Sequence, residues 1–130
     1  MATEILINDG GAPSRILPFV ANADISAGEV VKASTTAGRV DLATVATAPV
    51  LGVSLTDAAS GSMCNVISGR GIIVNIYCTD EAAGANLMVD GTAGQLDLWV
   101  DSADAGATNQ VVACTLEDNS TAGLTKCMLF

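Results

Sequence analysis

The sequence repeats itself, and the repeat constrains the fold more than any single motif. Ala27-Gly-Glu-Val-Val-Lys-Ala-Ser-Thr-Thr-Ala-Gly-Arg-Val-Asp-Leu42 aligns without a gap on Ala83-Gly-Ala-Asn-Leu-Met-Val-Asp-Gly-Thr-Ala-Gly-Gln-Leu-Asp-Leu98 at an offset of 56. Both Ala-Gly pairs coincide, and Val31, Val40, Asp41 and Leu42 fall on Leu87, Leu96, Asp97 and Leu98. Further on, Leu51-Gly-Val-Ser-Leu-Thr-Asp57 is echoed by Val112-Ala-Cys-Thr-Leu-Glu-Asp118 at an offset of 61. The second copy therefore has a longer connection, placed at Asp101–Asn109. Cys64-Asn-Val-Ile67 resembles Lys126-Cys-Met-Leu129. Blocks recurring in one order point to an internal duplication.

Each copy reads as a sheet unit. The Ala-Gly turn leads into a short strand (Val30–Ala33, Leu87–Val89). A turn at Gly38 or Gly94 returns the chain into a second (Val40–Ala43, Leu96–Val100). A third (Val50–Leu55, Val111–Leu116) and a fourth (Met63–Ser68, Thr125–Phe130) follow. Glycine suits these turns because positive φ costs it nothing sterically. Strands of this length and spacing predict an all-β fold, a small β-barrel or β-sandwich, tulip-like in outline. Between the copies, Ile72–Tyr77 is nearly continuous and β-branched, as in a strand covered on both faces. Thr79–Gly84 fits one helical turn with Thr79 as its cap. The division expected is an N-terminal arm or hairpin over residues 1–23 and a β-domain over 24–130, in halves of about 24–78 and 79–130. Within the arm, Thr3–Asn8 has strand character, and Pro18 marks Arg15–Val20 as an edge or extended segment.

Half of the residues are apolar but only 3% are aromatic, so the core must be built from Val, Leu, Ile and Ala. The net charge is −9, and the five basic residues, Arg15, Lys32, Arg39, Arg70 and Lys126, form no run. Nucleic acid is not an expected partner, because neutralising phosphates needs clustered Lys and Arg. An anionic membrane surface would repel the chain for the same reason. Met1–Gly10 shows no signal-peptide pattern.

Histidine is absent, which removes His-based triads and His-ligated metals. Gly69-Arg-Gly71 lacks the rest of a phosphate-binding loop and precedes a strand. The pairs Asp80-Glu81, Asp101/Asp104 and Glu117-Asp118 read as solvated surface, and no calcium-loop pattern is formed. Cys64, Cys78, Cys114 and Cys127 have no Cys-x-x-Cys spacing and read as buried thiols, with two disulfides as the alternative. No catalytic, metal or cofactor constellation is found, so an enzyme is not expected.

An ordered series runs through Asp24-Ile-Ser-Ala-Gly-Glu-Val-Val31, Gly38-Arg-Val-Asp-Leu-Ala43, Val50-Leu-Gly-Val-Ser54, Ala59-Ser-Gly-Ser-Met-Cys-Asn-Val66 and Gly71-Ile-Ile-Val74. It resembles the capsid cement (head decoration) proteins of tailed bacteriophages, over roughly Asp24 to Gln95. The resemblance implies a structural virion protein, made in the host cytoplasm and bound to the exterior of the expanded capsid. Its partner would be the major capsid protein, and it would act as a homo-oligomer, a trimer favoured, bridging neighbouring subunits. Many modest contacts on a closed lattice add up through multivalency. The site would be an apolar patch rimmed by polar groups. Candidate interface residues are Ile5, Leu6, Ile7, Leu17 and Phe19 on the arm, Trp99 before the acidic loop, and Phe130. Ile5 to Phe19 and Trp99 have the alternative of filling the chain's own core, and Phe130 of closing the last strand. The competing readings are a tail or head-fibre subunit and a β-barrel ligand-binding module.

Overall fold

The computed structural model describes residues 5–8, 15–44, 50–79, 82–89, 92–99 and 111–130. Among them the chain is all-β, with eleven strands: β1 (Leu6–Asn8), β2 (Arg15–Ala21), β3 (Val30–Ala33), β4 (Arg39–Leu42), β5 (Val50–Ser54), β6 (Met63–Ser68), β7 (Ile73–Cys78), β8 (Asn86–Val89), β9 (Leu96–Leu98), β10 (Ala113–Thr115) and β11 (Gly123–Leu129). β2-β4-β3-β5-β6 close into a barrel. The other sheet runs β1-β7-β11-β10-β8-β9, and the parallel pair Cys78–Leu96 brings β9 back to β7. The second ring, β7-β9-β8-β10-β11, thus retraces the order of the first, with β1 laid alongside β7.

The correspondence extends to register. Val31 opposite Leu42 and Ala33 opposite Val40 become Leu87 opposite Leu98 and Val89 opposite Leu96, an offset of 56. Ser54 opposite Val66 becomes Thr115 opposite Cys127, an offset of 61. Ala21 beside Val40 becomes Cys78 beside Leu96, so β2 and β7 correspond at 57. The strand at Ile73–Cys78, which reads from sequence as lying between the copies, is therefore the first strand of the second barrel. Arg15–Ala21 stands likewise inside the repeat, as the first strand of the first. The pairing sets the boundary between Ser68 and Ile73. In β6 and β11 the sequence match is one residue out: Cys64–Ile67 corresponds to Thr125–Met128, because the ladder to β5 and β10 fixes the register and a one-residue slip would turn every side chain to the wrong face. The helical turn expected at Thr79–Gly84 falls partly on residues 80–81, outside the described residues; Ala83 and Gly84 form a turn.

The Ala-Gly turns are held identically. Gly28 N–H donates to Ser54 O and Ala27 N–H to Asp57 Oδ1, at 2.8 and 2.7 Å. Gly84 N–H donates to Thr115 O and Ala83 N–H to Asp118 Oδ1, at 2.8 and 2.9 Å. The carboxylate-to-amide geometry fixes where each following strand begins, which is why the motif recurs in sequence.

Two cores result. Ala21, Val31, Val40, Cys64 and Val66 fill the first barrel with Ile25 and Ala58. Alternation along the strands turns Val30, Val53 and Ile67 outward, where they join Val74, Ile76, Leu87, Leu96, Ala113 and Leu129 in the larger core. The barrels are thus joined by apolar packing, not tethered. Their counterparts in the second barrel are Asn86, Cys114 and Met128, exposed or half-buried.

Pro18 has its place here too. β2 pairs with β6 throughout, but with β4 only at Val20 and Ala21. The residue equivalent to Pro18 is Asn75, whose N–H donates to Ile5 O at 2.8 Å where β1 lies against β7. Proline has no N–H to offer a strand at that position.

Candidate functional site

The clefts are small or open. One of about 110 Å³ between β5 and the C-terminus is lined by Val50, Gly52, Ser68, Val112 and Phe130, among others. A shallow dish of about 320 Å³ is bordered by Lys32, Asp41, Leu42 and Thr44. Neither has the depth with converging polar groups that marks a small-molecule site. Among the described residues no cluster of three or more Cys, Asp or Glu could hold a metal ion.

The four cysteines are free thiols; Cys64, Cys78 and Cys127 are buried and Cys114 half-buried. A hydrogen bond with Cys78 and then burial push the Cys127 thiol up from its ordinary range. Its S–H donates to Thr125 O. Held protonated, Cys127 is a core group and not a nucleophile.

What the molecule does present is apolar surface. Met63 is 65% exposed and Ile16 49%, with Leu98, Leu116, Leu17 and Phe130 also open to solvent. Ile16, Pro18 and Val20 alternate along β2 with Leu17, Phe19 and Ala21, and Val20 stands opposite Met63. Phe19 and Ala21 belong to the barrel core, so Ile16, Pro18, Val20 and Met63 share the outer face of β2 and β6. Arg39 stands beside Val20 in the parallel pair with β4, and Arg15 begins β2.

The seven residues singled out from sequence are distributed as follows. Ile5 is 2% exposed and fills the larger core, which takes it out of reach of a neighbour: its O accepts from Asn75 and its side chain packs within the chain. Leu6 and Ile7 lie in β1, and their side chains are outside the described residues. Leu17 is partly exposed at the start of β2, and Phe19 is half-buried against the first core. Trp99, half-buried, follows β9, and its N–H donates to Asn86 O at 2.8 Å. Phe130 is 51% exposed, with its N–H donated to Val112 O. The acidic connection Asp101–Asn109 lies outside the described residues. The arrangement does not bring these seven together. Ile16 and Met63 are not among the seven; the period-2 alternation of Arg15–Ala21 was the available signal for Ile16.

No protein-family model and no curated protein matches this sequence. Solved structures do resemble it. The head fiber gp8.5 N base of bacteriophage phi29 is similar over 91% of this chain and 95% of its own, at 14% identity and a TM-score of 0.66. A chain from the capsid of Myoviridae phage XM1 is similar over 98% of this chain and 89% of its own, at 17% identity and a TM-score of 0.61. The chain has the double-barrel fold seen in these phage head proteins.

Proposed function

We propose that the protein is a structural component of a phage virion that binds the outer surface of the expanded capsid and bridges neighbouring major capsid protein subunits. The observation that carries this reading is the likeness of nearly the whole chain to two phage head proteins, one described as a capsid and one as a head-fibre base. Three further features support it: a packed two-barrel body, exposed apolar strand faces and the lack of a deep pocket among the described residues. Net charge of −9 suits a particle exterior held apart from DNA. The mechanism is additive. Each bound copy buries apolar area on two subunits that is lost if they separate, and the lattice multiplies a modest term.

Co-sedimentation with shells of the source phage tests this, comparing compact precursor shells with expanded ones. Saturable binding to expanded shells is expected, with a stoichiometry that names the lattice site. No binding to either form would overturn the reading. A second reading, the base of a head fibre, is favoured by the phi29 likeness. Imaging of decorated particles separates the two: a compact knob on the shell or the root of a projecting fibre.

A further inference from the structure

We propose that the first barrel meets the shell through the outer face of β2 and β6, and that the shell protein offers it an apolar patch bordered by carboxylates. The inference rests on the capsid-binding reading and names its contact face.

Three observations converge on this face. The first is exposure: Ile16 and Met63 are 49% and 65% open to solvent and flank Pro18 and Val20 on one side of a two-strand ladder. The second is an internal precedent. In the second barrel the positions of Val20 and Met63 are held by Tyr77 and Leu124, and there another barrel is already seated. Tyr77 N–H donates to Gly28 O, and Leu124 packs against Gly28. The same surface can thus pack against a protein partner; in the first copy Ile67, opposite Ile16, is already buried between the barrels, and Ile16, Pro18, Val20 and Met63 form the part left open. In the first barrel the Val20 N–H is bonded to Gly38 O, so a partner there must use side chains in place of that backbone bond.

The third observation is charge. Residues 15–71 carry four basic and four acidic side chains, whereas residues 72–130 carry one basic and eight acidic. Arg39, beside Val20 on this face, forms no ion pair among the described residues. An apolar strip with a guanidinium group at its border fits apolar surface rimmed by carboxylates. The acidic second barrel is repelled by such a surface and faces away from it. A second copy of this chain is the weaker occupant, since the apolar triad that docks the barrels, Val30, Val53 and Ile67, is already buried.

The test is shell binding by Ile16→Asp, Met63→Asp and Arg39→Glu, with Leu116→Asp on the second barrel as a matched control, 41% exposed. Urea midpoints verify that each variant folds. Met63→Asp and Ile16→Asp should each weaken binding by about 10-fold or more, as for residues central to an interface. Arg39→Glu should lower affinity and flatten its salt dependence, and Leu116→Asp should bind like the parent. Parental binding by Met63→Asp and Ile16→Asp would overturn the face while leaving the function standing. A free protein whose mass falls on Met63→Asp would identify the face as a self-association surface and overturn the proposal. Failure of the parent to bind either shell form would overturn the function, and this inference with it.

Discussion

The Tyr77 amide donates to the Gly28 carbonyl of the other barrel at 2.9 Å, whereas its counterpart Val20 donates to Gly38 within its own barrel at 3.1 Å. One bond of the ring has been exchanged for two that cross between the barrels. Val30 N–H donates in turn to Gly94 O at 2.9 Å, Gly94 being the counterpart of Gly38. The segment Gly28–Val30 is thereby wedged between β7 and the turn before β9. This arrangement makes the two barrels one folding unit, and it yields comparisons in which each barrel controls for the other.

Gly28 and Gly84 have φ of 90° and 82°, so alanine meets similar backbone strain at both. At Gly84 a Cβ meets nothing, whereas at Gly28 it collides with Leu124 Cδ2 of the docked barrel. Gly28→Ala should therefore cost about 1–2 kcal/mol more than Gly84→Ala, the overpacking term alone. Urea unfolding of the two variants measures the difference. Equal losses would mean that the docking contact at Gly28 contributes nothing.

Ile67 and Met128 are equivalent by register, yet Ile67 is fully buried between the barrels and Met128 only half-buried. Ile67→Ala should destabilise by roughly 3 kcal/mol and Met128→Ala by less than about 1.5 kcal/mol. The denaturation midpoints decide it. A larger loss at Met128 would contradict the asymmetric burial.

Asp57 and Asp118 each anchor an Ala-Gly turn by accepting the preceding amide. Alanine at either position should cost about 1–2 kcal/mol, and asparagine less, because an acceptor oxygen remains. The two sites share no partner, so Asp57→Ala and Asp118→Ala should add within about 0.5 kcal/mol. Thermal or urea unfolding of the pair and the double variant checks the sum; marked non-additivity would show the turns to be coupled through the docked interface.

The Cys127 thiol is raised in the folded state by its hydrogen bond with Cys78 and by burial. On unfolding it returns to an ordinary thiol, which loses its proton near pH 8.5. Above that value the unfolded chain releases a proton that the native chain keeps, so this contribution to stability is intact at neutral pH and declines as pH rises. The slope should approach about 1.4 kcal/mol per pH unit. Parallel unfolding titrations of the parent and Cys127→Ala should diverge below pH 8.5 only by a constant, then converge as pH rises. Parallel curves throughout would show that Cys127 ionises as readily folded as unfolded.

Much of the repeat was readable because the turn anchors need particular residues. Gly28 and Gly84 occupy positive φ, and Asp57 and Asp118 supply the same acceptor, so both pairs keep their identity. The equivalence of β2 with β7 was not readable. Leu17, Phe19 and Ala21 correspond to Val74, Ile76 and Cys78, and a barrel interior asks only for apolar volume. The exposure of Ile16 and Met63 was not readable. Ile16, Leu17 and Phe19 stand in one apolar run, and the pleat decides which alternate set faces out, which depends on a pairing with β6 that local sequence does not contain.

Asn86, Cys114 and Met128 stand where the first barrel has Val30, Val53 and Ile67. Had both barrels kept the adhesive triad, every docked unit would expose the means to recruit another, and growth would run head-to-tail without end. With the triad confined to one copy, stacking terminates after a single step. The chain is a capped pair, with its remaining apolar surface left free for something other than another such docking step.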